Sequence, residues 1–124
     1  MPRKRPPGFA GDTGVPIYKS KVDIEELLTR YGAEGYHSGW QAAGGGEVGW
    51  DAVEFLWKGR QIRFKIPRSS SAAPRGVKNV KAYRDQVDRQ RWRVLMLVIK
   101  AKLEAVNSGV SIFEEEFMSF IVTA

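Results

Sequence analysis

Apolar and polar residues follow three rhythms along this chain, and each rhythm predicts an element. Ile24, Leu27, Leu28 and Tyr31 recur at helical spacing and make one apolar face. Ser20 stands where an N-cap is expected, Asp23 where an acid supports the cap and the helix dipole, and Gly32 where a helix stops. From 36 to 67 the period shortens to that of strands. Tyr36 to Gln41 predicts a first strand, and Gly44, Gly45, Gly46 and Gly49 a flexible loop after it. Ala52 to Trp57 and Arg60 to Ile66 then flank Lys58-Gly59, a two-residue hairpin turn. That turn sets Phe55 opposite Ile62 and Val53 opposite Phe64 on one face, with Glu54 opposite Arg63 on the other and Lys65 nearby. Apolar pairing and charge pairing agree on one register, so a one-residue slip is disfavoured. Pro67 ends the strand, and 68–76, with Ser69, Ser70, Ser71 and Pro74, reads as a polar loop.

The third rhythm runs from Val77 to Ser108 and is helical, with Gly109 as its stop. Val77 to Arg93 is polar and basic with sparse apolar positions at Val80, Tyr83 and Val87. Val94 to Val106 is apolar nearly all round its first turns, and Trp92, Leu95, Met96, Ile99, Leu103 and Val106 share a face. A helix of that span is about 48 Å long at 1.5 Å per residue, long for a domain of this size. Either it breaks near Lys81 or its N-terminal half projects. Ser111 with Glu114 three residues on reads as a capping box opening a last helix, whose inner face is Phe113, Phe117, Phe120 and Ile121. The pattern is still apolar at Ala124, as if a further stretch follows or the end docks on a neighbour. Met1 to Val15, rich in Pro and Gly, reads as a flexible basic tail carrying Arg3, Lys4 and Arg5. Residues 16–124 are therefore expected to form a single α+β domain: an N-terminal helix, a three-stranded antiparallel sheet, a long basic and apolar helix, and a short C-terminal helix. Leu95, Ile99 and Leu103 are expected to pack against Leu27, Leu28 and Phe117. The order resembles that of the double-stranded-RNA-binding domain, in element order alone.

Charge changes the picture. The chain carries a net +6, unevenly spread. Between 68 and 109 ten Lys/Arg stand against three acids, whereas 110–124 holds only Glu114, Glu115 and Glu116 as charged residues. A basic block is the footprint expected for polyanion binding, and it is also a common way to solvate a long helix. The candidate contacts are Arg84, Arg89, Arg91 and Arg93, supported by Lys78, Lys81, Arg68 and Arg75. Arg forks on a helix face could track phosphates; the competing reading pairs them with Asp85 and Asp88. Trp92 and Tyr83 lie among them, with Trp92 better read as core.

Other chemistry is thin. There is no Cys, which excludes a disulfide scaffold and a thiolate zinc site. His37 is the sole His and lacks a second partner in sequence. Glu47, Asp51 and Glu54 with Lys58 have no spacing that matches a nuclease motif. Glu114, Glu115 and Glu116 are explained by the helix dipole. The glycines at 44–46 lack the Lys-Ser/Thr ending of a phosphate loop. No catalytic centre and no cofactor is expected. The longest apolar run, Val94 to Ile99, falls far short of the roughly 20 residues of a membrane span. Nothing apolar follows the basic start, as a secretory signal would need, so a cytoplasmic location is expected.

The segments Tyr31-Gly32, Ala52 to Pro67 and Arg89 to Phe117 (RQRWRVLMLVIKAKLEAVNSGVSIFEEEF) resemble a family of small uncharacterised bacteriophage and prophage proteins. The resemblance implies a phage accessory protein acting in the cytoplasm of a bacterial host, and it carries over no functional residue. Two functions are compatible with it. One is a non-enzymatic module that binds DNA or RNA through the block from Arg68 to Lys102. The other is an anti-defence, anti-CRISPR-like inhibitor whose basic surface fits a host protein complex. An oligomer is compatible with both.

Overall fold

Pro16 opens the first helix, because its ring holds φ near the helical value while ψ stays extended at 155°. Its carbonyl accepts from Lys19 N and Ser20 N, and α1 spans Ile17–Arg30. The start lies one turn earlier than Ser20 suggested. Ser20 is therefore inside the helix and fully buried, and Asp23 sits in the second turn rather than at a cap. Gly32, at φ +86°, ends the helix as expected. The computed structural model describes residues 13–46, 49–68 and 73–123. Most of the expected basic tail, with Arg3, Lys4 and Arg5, lies outside the described residues.

Three strands follow, β1 Gly35–Gln41, β2 Trp50–Trp57 and β3 Arg60–Pro67, in the antiparallel order β1-β2-β3. The hairpin register is the expected one: Phe55 opposite Ile62, Val53 opposite Phe64, Glu54 opposite Arg63. Lys58 and Gly59 both take positive φ (51° and 74°), the two-residue turn whose twist matches that of the strands. On the outer face Arg63 Nε and Gln61 Nε2 both donate to the Glu54 carboxylate. Gly49 departs from the flexible loop expected of it. It is buried, and a Cβ there would come within 2.8 Å of the Gln41 carbonyl oxygen.

The long helix α2 is unbroken over Val80–Asn107, about 42 Å at 1.5 Å per residue. It starts three residues later than the periodicity suggested, because the Asn79 side chain accepts from Ala82 N and caps it there. Its buried residues are Trp92, Leu95, Met96, Ile99 and Leu103, so the half from Val80 to Arg91 has no fully buried side chain. Gly109, at φ +82°, follows its end. The last helix, α3 Phe113–Phe117, runs on into a 3-10 turn, Met118–Phe120. Ile112 rather than Ser111 is its N-cap; the Ser111 hydroxyl donates instead to Glu115 Oε2 at 3.2 Å. Ile121 then bridges to Ile62, and Val122 N donates to Gln61 O at 2.8 Å, so the last residues lie along the outer edge of β3.

All three helices contribute to one core on one face of the sheet. It gathers Ile24, Leu27 and Leu28 of α1, Val53, Phe55, Ile62 and Phe64 of the sheet, Leu95, Ile99 and Leu103 of α2, and Phe117. The Phe117 ring meets Phe55, Trp57 and Phe64 edge-on at centroid distances of 5.6–6.4 Å, the geometry aromatic quadrupoles prefer. Trp57 Nε1 donates to Tyr31 O at 3.0 Å and ties the end of α1 to β2. Among the described residues no helix is long and apolar enough to cross a membrane.

Candidate nucleic-acid interface

At 100° per residue, Arg84 and Arg91 fall within about 20° of each other around α2, and Arg89 and Arg93 within about 40°. The two pairs are about 170° apart and straddle the core stripe of Trp92, Leu95, Ile99 and Leu103. The four arginines therefore do not share one face. Each pair meets a different neighbour.

On the α1 side, Arg93 Nη1 donates to Asp23 Oδ2 at 2.8 Å, and Lys19 Nζ donates to Asp23 Oδ1 at 2.7 Å. Asp23 is thus the centre of a three-residue ion network joining α1 to α2. Hydrogen bonds from Lys19, then from Arg93, hold its carboxyl below the usual carboxylate range. The same contact raises the Lys19 ammonium. Arg89, one turn earlier, donates through Nε and Nη2 to Gln86 Oε1, while Gln86 Nε2 donates to Thr13 O at 2.8 Å. This flank holds helices together.

On the sheet side, Arg91 Nη1 donates to the Pro67 carbonyl at 2.7 Å. Arg68 follows in sequence, and its Nη2 lies 3.2 Å from Asp51 Oδ1. Arg84 sits two turns up the same flank and is half-buried. Beyond it, at the head of α2, Lys78 and Arg75 are exposed, and Lys81 pairs with Asp85 at 2.8 Å while remaining 85% exposed. The first turn of α2 contains no acid. The positive end of the macrodipole is therefore crowded by cations, the reverse of the arrangement that stabilises a helix. Seven of the eight candidate residues sit in or around the N-terminal half of α2, whose residues from Tyr83 to Arg91 are half-buried rather than projecting, and the loop before it. Arg93 sits where that half meets the core.

The remaining candidates are accounted for by structure. Glu54 is bound by Arg63 and Gln61, and Asp51 by Arg68; Glu47 lies outside the described residues. Glu116 meets Lys102, whose Nζ also donates to its backbone carbonyl at 2.9 Å. His37 is exposed, its ring lying over Gly39. Among the described residues no three His, Asp or Glu side chains converge to hold a metal ion. Trp92 is core, as expected, with Lys21 Nζ 4.9 Å from its ring centre.

Periodicity did not single out Trp40. It belongs to the edge strand β1, is 66% exposed, and has the Arg68 guanidinium 5.1 Å from its ring centre. The available signal was composition: a tryptophan next to a glycine-rich loop, away from any apolar run. Comparison of the chain with protein-family models, curated proteins and solved structures finds no match.

Proposed function

We propose that this chain is a non-enzymatic nucleic-acid-binding module, a phage accessory protein acting in the cytoplasm of a bacterial host. It grips phosphates with Arg75, Lys78 and Lys81 at the head of α2, and with Arg68, Arg84 and Arg91 on the flank that meets the sheet. The observation that carries this reading is the cationic helix start. Lys78 and Lys81 crowd the positive end of a 28-residue helix with no acid in its first turn. That arrangement costs helix stability, and a locally unfavourable choice of this kind is expected where a ligand compensates for it. Backbone N–H groups and the dipole at the same place favour an anion. Arg93 is assigned to the fold, because Asp23 holds it.

The test is a salt titration of binding to random-sequence oligonucleotides. Affinity of the intact protein should fall steeply between low and moderate salt, as released counterions are recaptured. Lys78→Ala/Lys81→Ala should lower the salt slope by about two units, one per lost phosphate contact. Weak binding with the same slope in wild type and variant would overturn the reading. It would favour the alternative, a basic surface that docks on a host defence complex.

A further inference from the structure

We propose that Trp40 and Arg68 form a stacking platform for an unpaired base, so that the ligand is a single-stranded nucleic acid. This rests on the nucleic-acid reading above and narrows its substrate class. Tryptophan is highly buried on average, and a ring 66% exposed on an edge strand contributes little to the core. Trp40 is nevertheless held in a built environment. Asp51, its cross-strand partner in the β1–β2 register, is the carboxylate that holds the Arg68 guanidinium over one face of the indole.

The backbone beneath this pair is tightly constrained. Arg68 N donates to Gly49 O at 2.9 Å. Gly49 in turn lies so close to the Gln41 carbonyl, next to Trp40, that no side chain fits there. Arg68 is thus anchored at its main chain by Gly49 and at its guanidinium by Asp51. A platform ordered before binding loses little entropy when a ligand arrives.

Each component matches one part of a single strand. With the guanidinium over one face, the stacked pair offers a base the guanidinium plane or the remaining exposed indole surface, and it adds a positive charge for the phosphate. A second pair stands on the other face of the same sheet end, where Lys65 Nζ lies 4.5 Å from the Trp50 ring. From Arg68 the cationic track continues through Pro67 to Arg91, and up that flank of α2 to Arg84. A duplex stacks its bases inward and has none to place on Trp40, whereas a single strand meets both the ring and the track.

The experiment measures binding of the full chain to labelled oligothymidylate and to a duplex of equal length, about 12 nucleotides, within the range one small module covers. Trp40→Ala should weaken oligothymidylate binding about ten-fold and leave duplex binding within about two-fold, with Trp40→Phe retaining most of the affinity. Trp57 and Trp92 are buried at 5% and 2% exposure, so fluorescence quenching by the oligonucleotide should come from Trp40 and Trp50 and diminish in Trp40→Phe. Equal single-strand affinity in wild type and Trp40→Ala would overturn the platform while leaving the cationic helix start standing. Equal loss for single strand and duplex would also overturn it. Failure of the wild type to bind either oligonucleotide at low salt would overturn both readings.

Discussion

Arg93→Ala is expected to cost folding stability and to leave the salt dependence of nucleic-acid binding alone. Two unit charges about 4 Å apart attract by about 4 kcal/mol at the effective dielectric of a protein surface. Desolvation and the ordering of two long side chains take back most of that, and pairs near the surface net about 0.2–1 kcal/mol. With side chains 23% and 19% exposed, joining two helices, the Arg93–Asp23 pair belongs at the upper end, about 1 kcal/mol. Asp23 keeps Lys19 in the variant, so no bare carboxylate is left behind. The assay is a double-mutant cycle of Arg93→Ala with Asp23→Asn, read by urea denaturation. The pH dependence has a definite sign. The Asp23 carboxyl titrates lower in the folded than in the unfolded chain, so the native state binds fewer protons. Its stabilisation is complete above the unfolded carboxylate value and is lost as pH falls through the folded one. The coupling should therefore be full near neutral pH and vanish in strong acid. A coupling below about 0.2 kcal/mol at neutral pH would refute the ion-pair assignment. So would unchanged stability together with a salt slope lowered by about one unit, which would show that Arg93 reaches phosphate.

Phe117→Ala removes a fully buried ring that meets Phe55, Trp57 and Phe64, and should destabilise by about 3–5 kcal/mol in chemical denaturation; under about 1.5 kcal/mol would mean that α3 is not seated on the sheet. Ser20→Ala should be neutral or stabilising by up to about 1 kcal/mol in thermal unfolding, because the Ser20 hydroxyl is buried without a hydrogen-bond partner. Lys58→Asn should raise the stability read by urea denaturation by about 0.5 kcal/mol, since Lys58 holds φ 51° and Asn tolerates that region better, while a loss would show that its contact with the Trp57 ring outweighs the backbone preference.

Much of the fold was legible because its signals are local. The facing pairs Phe55–Ile62 and Glu54–Arg63 lie within a few residues of their turn, so alternation and turn chemistry both report the register. Gly32 and Gly109 mark helix ends because positive φ is a property of one residue. The core face of α2 follows from spacing along one helix. The caps were less legible. Ser20 and Ser111 have the right type for the role, but Pro16 and Ile112 stand at the true starts, each followed by a residue packed on the core, Ile17 and Phe113.

The sequence by itself determined the elements, their order, the hairpin register and the inward sides of the helices and of the hairpin, because all of these depend on neighbours a few positions away. Only the tertiary structure decided what each cation does. Asp23 lies 70 residues from Arg93, Asp51 lies 17 from Arg68, and the Pro67 carbonyl lies 24 from Arg91, so no local pattern distinguishes the arginine that pins two helices from the one that flanks an exposed tryptophan. An electrostatic role depends on distances in space, and those exist only once the core has brought α1, α2 and the end of the sheet together.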